Sequence, residues 1–280
     1  MTDLTQVNGV RRVHAPAIRY HGGKFRIAPW IISHFPAHAC YVEPFGGGAG
    51  VLLQKPRSYA EVYNDLDSDI VNLFRVLRDP ELNSQLRDAC LLTPYAREEF
   101  YAAYDPGDTP LERARRTVVR ATMGFGSGAA NKRTGFRGDS KRKYATAADC
   151  WARYPTNLSA LCQRLQGVII ENKDALTVMR AHDAATTLHY IDPPYLPETR
   201  VWRGGAYRHE MDVFGHEQLL AVARTLVGHV VISGYDSELY NDYLSGWETY
   251  KKESRISAGR GTALRIECLW IRNASSEVAA

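Results

Sequence analysis

No stretch of this chain is apolar for long enough to cross a membrane, which takes about 20 consecutive residues. Cysteine is scarce. The five present, Cys40, Cys90, Cys150, Cys162 and Cys268, are odd in number, widely spaced and form no C-x-x-C pair. That argues against a disulfide framework and against a cysteine zinc site, and suits a reducing cytoplasm. No other cluster of ligand residues suggests a metal. The polar stretch Met1 to Pro16 lacks the apolar segment of a signal peptide and reads as a loosely held arm. There is no internal repeat and little charge imbalance. The 35 Lys and Arg stand against 31 Asp and Glu, a net charge of +4 that permits an anionic partner without requiring one. Two phosphate-binding patterns also fail. Phe25 follows Lys24 where G-x-x-x-x-G-K-[ST] needs a hydroxyl, and the sixth position counted from Gly46 is Val51, which breaks G-x-G-x-x-G.

What is present centres on Thr187 to Tyr195, an apolar strand that ends in Asp192-Pro193-Pro194-Tyr195. The prolines fix φ and remove backbone donors, so the chain must leave any sheet here. Pro193 also biases Asp192 to an extended backbone. The result is a stiff corner at the carboxyl end of a strand, where open α/β sheets place ligands. A plain β-turn with Pro at its second position also accounts for these residues.

Upstream, Tyr20-His21-Gly22-Gly23-Lys24 puts two permissive backbone positions before a cation, with helix-like apolar spacing from Phe25 to Phe35. A simple turn also fits. Cys40 to Leu53 reads as a short strand, a glycine-rich bend and a helix, the first β-turn-α unit of a nucleotide-binding α/β sheet. With the dinucleotide pattern broken, another adenosine-containing ligand is the better expectation. Tyr59 to Asp65 is a second strand, and Asp65 falls roughly 20 residues past the bend, where such folds bind a ribose. Asp65 or Asp67 would alternatively cap the helix that follows.

Residues 79–165 differ in texture. Pro80 to Leu92, Arg97 to Tyr104 and Leu111 to Met123 look helical, and the last carries Arg113, Arg115, Arg116 and Arg120. A loop from Gly124 to Tyr144 then interleaves cations, glycines and aromatics, including Asn131, Lys132, Arg133, Arg137 and Lys141. Such a loop suits phosphate contact and base readout, and a solvated basic loop has the same composition. A second basic loop, Pro197 to Met211, contains Arg200 and Arg203. Strands resume from Leu165 to Ile170 and from Val230 to Ser233, and Trp247 to Lys252 with Ala263 to Ile271 reads as an antiparallel pair. The expected division is an arm at 1–16, an α/β ligand-binding domain at 17–78 and 166–273, an insert of basic texture at 79–165, and a frayed tail at 274–280.

Four pieces, Tyr20 to Lys24, Glu43-Pro44-Phe45-Gly46-Gly47, Asn64-Asp65 and Asp192 to Tyr195, resemble in order and spacing the D12-class N6-adenine DNA methyltransferases, the DNA adenine methylase family. The form is most similar to the solitary methylases of phages and prophages. The resemblance implies a Rossmann-like, S-adenosylmethionine-dependent fold: a mixed seven-stranded sheet with a target-recognition insert. It implies double-stranded DNA as partner and methyl transfer to N6 of a flipped-out adenine, with no obligatory protein partner. Asp192, Pro193, Pro194 and Tyr195 would be catalytic, with Tyr195 stacking on the base. Tyr20, Lys24, Glu43, Phe45, Gly47, Asp65, Asp174 and Asp192 would bind the cofactor. DNA would be met by Arg116, Arg120, Asn131, Lys132, Arg133, Arg137, Lys141, Arg200 and Arg203. Two rivals stay open: an N4-cytosine DNA methyltransferase with a related motif, and an inactive DNA-binding protein on the same scaffold. There is one departure. Ala49 stands where the family's first motif has its second glycine, and it fits only if its φ is negative, leaving the turn to Gly50. The hairpin resemblance of Arg133 to Arg137 is only in outline, so no recognition sequence carries over.

Overall fold

The computed structural model describes residues 6–7, 10–11, 13–138, 140, 145–199, 207–258 and 261–274, with backbone alone at 6–7, 10–11, 254–258 and 261–263. A two-stranded hairpin, β1 (Gln6–Val7) and β2 (Val10–Arg11), comes first. The main sheet has five parallel strands: β3 (Cys40–Glu43), β4 (Ala60–Asn64), β5 (Val168–Glu171), β6 (Thr187–Ile191) and β7 (His229–Tyr235). The hairpin of β8 (Glu248–Ala258) and β9 (Gly261–Arg272) completes it, with β9 antiparallel to β7. The order is β5-β4-β3-β6-β7-β9-β8. Every residue of β6 is buried, as expected for a parallel strand covered on both faces. In register, Val42 of β3 lies opposite Val62 of β4 on one side and His189 of β6 on the other. The strand order reverses between β3 and β6, so a crevice opens at their carboxyl ends.

Helices α1 (Ala28–Ile32) and α2 (Ser68–Arg78) belong to the first half of the sheet. Asp79 then ends α2, accepts from the backbone N–H groups of Glu81 and Leu82, and with Pro80 starts α3 (Pro80–Leu92). The inserted helices continue with α4 (Arg97–Ala102), α5 (Pro110–Met123) and α6 (Ala147–Leu165). Helix α6 was not anticipated, although Thr146 and Asp149 form a capping box at its start. The chain returns through α7 (Ala175–Ala181), α8 (Val213–Thr225) and α9 (Glu238–Tyr243).

The insert packs into the core of the sheet. Leu86, Phe100, Trp151 and Leu158 share one buried cluster with Tyr41, Tyr63 and Leu188 of the sheet. Two expectations change. The arm is tied down at its end: Val13 is buried in that same cluster, and the Asn157 amide donates to the Ala15 carbonyl at 3.0 Å. No helix follows the glycine bend. Leu53 N–H donates to Ala49 and Lys55 N–H to Val51, both at 3.0 Å, and Pro56 stops the chain after these turns. Most of the tail lies outside the described residues. Among those described, no helix is long and apolar enough to cross a membrane.

Candidate active site

The crevice between β3 and β6 deepens into a cavity of about 570 Å³, within the usual range for small-molecule sites. All eight expected cofactor residues, Tyr20, Lys24, Glu43, Phe45, Gly47, Asp65, Asp174 and Asp192, line it. They come from five separate segments, brought together because each lies before or after a strand that ends at the crevice.

The glycine bend is shaped by contact with two tyrosines. A Cβ on Gly46 would fall 2.1 Å from the Tyr63 ring, and one on Gly47, which has φ of 47°, would fall 2.8 Å from the Tyr20 ring. The Gly47 carbonyl accepts from the Tyr63 hydroxyl at 2.8 Å, and its N–H donates to Asp65 Oδ2 at 2.8 Å. Ala49 does not have the negative φ expected of it. Its φ is 51°, and it is the one non-glycine residue in the left-handed region among those described. Gly50 does not replace it in the turn. It is glycine because a Cβ would lie 2.7 Å from the Phe25 backbone nitrogen. Ala49 is fully buried, and its strain sits in the bend that borders the cavity, where such strain collects.

The acids divide by role. Glu43 is buried, and its Oε2 accepts from the Tyr41 hydroxyl at 2.7 Å and from Leu52 N–H at 3.1 Å. Its Oε1 has no such donor among the described residues, and burial, seconded by Asp192, pushes the carboxyl up to about 8 against the pull of its hydrogen bonds. Asp65 takes N–H groups from Gly47 and Asp67, and burial pushes it up to about 6. Each of its oxygens retains a second lone pair. Asp67, not Asp65, caps α2, and it also meets Arg208 Nη1 at 2.8 Å. Asp174 is exposed and caps α7 through Thr177 N–H. Asn64, which the motif gave no role, clamps two strand ends: its amide donates to the Pro44 and Lys173 carbonyls and accepts from Lys173 N–H.

At the corner after β6, Asp192 Oδ1 accepts from Ser233 Oγ at 2.8 Å and lies 3.0 Å from Lys24 Nζ. Its Oδ2 accepts no hydrogen bond from the described residues. Burial alone would lower the Lys24 pKa, but Asp192 and then Glu267 outweigh it and hold it above the ordinary lysine value. Pro194 lines the cavity, while Pro193 is buried. Tyr195 is 7% exposed, with Lys24 Nζ 4.6 Å above its ring, the Tyr235 ring edge-on at 4.6 Å, and its hydroxyl donated to Glu267. Ser233 and Glu267 were missed because they carry no motif. The pairing of β6 with β7 brings Ser233 here, and that of β7 with β9 brings Glu267.

In the basic insert, Arg116 bonds Glu112 and the Asp105 and Pro106 carbonyls, and Arg120 donates to the Ala103 carbonyl at 2.7 Å. These guanidiniums hold helices together. Asn131 is half-buried against Tyr20. In the loop, Phe125 N–H donates to Gly135 and Arg137 N–H to Met123, so its two arms pair. Lys132 and Arg133 are exposed, with the Arg133 guanidinium 5.2 Å over the Tyr104 ring. Lys141, Arg200 and Arg203 lie outside the described residues.

A seven-stranded α/β sheet with its last strand inserted antiparallel, and an acid-proline corner at the switch point, is the architecture of a methyltransferase. The family model for D12 class N6 adenine-specific DNA methyltransferase matches residues 20–258, and the chain belongs to that family. It is an enzyme that methylates adenine in DNA at N6. The match decides against the cytosine reading and against an inactive relic. Similar proteins include the DNA adenine methylase of Serratia marcescens, 25% identical over 262 residues that span 87% of this chain and 92% of that protein. The DNA adenine methylase of Escherichia coli (strain K12) is 25% identical over 267 residues, 89% and 92% of the two chains. The Type II methyltransferase M1.LlaDCHI of Lactococcus lactis subsp. cremoris is 27% identical over 219 residues, 70% of each.

Proposed function

We propose that the methyl donor is S-adenosylmethionine, that the substrate is double-stranded DNA with the target adenine flipped out of the helix, and that Asp192 is the catalytic carboxylate. The cavity suits this donor. It offers Glu43 Oε1 to a cationic methionine end, Asp65 to ribose hydroxyls, and Phe45, Leu176 and Met211 as apolar walls for an adenine ring. When bound, the donor supplies an electrophilic methyl on its sulfonium.

The observation that carries the reading is the division of labour at Asp192. Oδ1 is held by Ser233 and Lys24, which fixes the carboxylate, and Oδ2 is left to accept. The exocyclic amine of adenine is a poor nucleophile because its lone pair is shared with the ring. Asp192 Oδ2 accepts one N6 hydrogen and the Pro193 carbonyl accepts the other, which turns the lone pair towards the methyl. The gain is orientation, plus stabilisation of positive charge that develops on nitrogen. Asp192 then takes the proton that the methylated amine sheds. A base inside a duplex cannot reach this corner, so it must be extruded, at a cost of a few kcal/mol.

The test uses purified protein, tritiated S-adenosylmethionine and unmethylated plasmid DNA, with nucleoside chromatography of the digest. Label in N6-methyladenine is expected. Label absent from duplex DNA but present in single-stranded DNA would overturn the duplex substrate, and no label from this donor would overturn the cofactor.

A further inference from the structure

Glu267 is a buried carboxylate on β9 that no motif announces. It is 4% exposed and is not among the residues that line the cavity. An ionisable side chain in an interior strand costs free energy unless it is paired. Here its partners all belong to the reaction centre. Glu267 Oε1 accepts from the Tyr195 hydroxyl and lies 3.7 Å from Lys24 Nζ. Lys24 in turn lies 3.0 Å from Asp192 Oδ1 and stands over the Tyr195 ring. Across the antiparallel pair Glu267 faces Tyr235, whose ring meets Tyr195. Burial raises the Glu267 pKa above the usual carboxylate range, and the Lys24 ammonium opposes that rise.

Two consequences follow for the transfer. The first is geometric. An ammonium has three donors. The Gly22 carbonyl takes one at 2.7 Å and Asp192 Oδ1 another, and the third lies in the field of Glu267, an ion-pair partner at 3.7 Å that biases it away from Asp192. Without Glu267, that hydrogen is free to turn onto Oδ2, the atom needed by the amine. The second is electrostatic. One cation between two carboxylates leaves a net negative cluster beside a nitrogen that gains positive charge, and removing Glu267 makes the cluster neutral.

We propose that Glu267 is a positioning residue for methyl transfer, holding Lys24 and Tyr195 so that Asp192 keeps Oδ2 open to the adenine amine. The proposal rests on the reading of Asp192 given above. It is tested with Glu267→Gln, which keeps an acceptor for the Tyr195 hydroxyl and removes the charge. Single-turnover methyl transfer to plasmid DNA is measured with S-adenosylmethionine binding, DNA binding and thermal unfolding on the same preparations.

The expected result is a fall in the transfer rate of about 10- to 100-fold, the scale of a misplacement of about 1 Å. Cofactor and DNA affinities should change by less than about twofold, the mark of an interaction used in the transition state. Glu267→Asp, which keeps the charge, should transfer faster than Glu267→Gln. An unchanged rate in Glu267→Gln overturns the proposal. So does a joint loss of cofactor affinity and thermal stability, which would make Glu267 a residue of the fold alone. If Asp192→Ala transfers at the full rate, the reading of Asp192 is what has failed, and the proposal falls with it.

Discussion

Raising the pH from 7 to 8 should tighten S-adenosylmethionine binding through Glu43. The carboxyl is buried beside the cavity, and burial pushes it up to about 8. A titration centred there leaves about one tenth of the groups ionised at pH 7 and about half at pH 8. In the proposed binding mode the cofactor brings cationic groups to Glu43 Oε1, so the ionised form is the one expected to bind. If only that form binds, Kd falls by about fivefold over this single pH unit, and binding at pH 7 releases nearly one proton. Asp65 titrates as well, but burial places it at about 6, so it is mostly ionised above pH 7 and contributes little in this window. The groups facing Glu43 are Tyr41 on its own strand, Asp192 after β6 and Lys55 beyond the bend. Tyr41 lies well above its ordinary value and does not titrate here. Lys55 is bound to Glu61 at 2.8 Å.

The assay is isothermal titration calorimetry at pH 7 and pH 8, in pairs of buffers with different ionisation enthalpies, on the wild-type protein and Glu43→Gln. The α-amino group of the cofactor titrates in the same region, but it does so equally with both proteins and cancels in their comparison. A Kd ratio that is the same in Glu43→Gln, with no buffer dependence beyond that of the variant, would refute the reasoning. The sign for stability is opposite. A carboxyl whose pKa is raised by folding binds its proton more tightly in the native state, so its contribution is fully present below about 4.5 and is lost as pH rises through about 8. The cofactor-free protein should therefore lose stability across that range, and saturating cofactor should recover part of it.

Asp192→Ala should bind plasmid DNA as the wild type does while losing most methyl transfer, and undiminished turnover would remove Asp192 from the mechanism. Ala49→Gly should stabilise the fold by about 0.5–1 kcal/mol. Relief of left-handed strain gives about 1–2 kcal/mol, of which the freer unfolded chain takes back part. Chemical denaturation reads this directly, and a destabilised variant would show that φ of 51° costs nothing here. Arg133→Ala should weaken DNA binding and reduce the slope of log K against log salt by about one, and an unchanged slope would take it off the phosphate-contact list. Arg120→Ala should leave that slope alone and instead destabilise by about 1–3 kcal/mol, because it strands the Ala103 carbonyl.

The contrast between Arg133 and Arg120 shows where the sequence was legible and where it was not. Glycine, proline and acid at strand ends act through local rules: they bend the chain, end the ladder or cap a helix within a few residues. The corner at Asp192, the bend at Gly46 and Gly47 and the acid at Asp65 could therefore be placed before the sheet was known. Glu267 could not, because its partners lie after β6, on β7 and in the segment before α1, and only the strand order brings them within reach. The arginines of α5 failed for a related reason. Counted along the chain, four of them look like a basic face. Wound at 3.6 residues per turn, Arg113 and Arg120 turn to Asp69, while Arg115 and Arg116 turn to Glu112. Their charges are cancelled by acids that the net charge of +4 counts separately. On the loop after α5 Arg133 stands exposed over Tyr104 with no carboxylate bonded to it among the described residues, so its removal is the change for which a fall in the salt slope is expected.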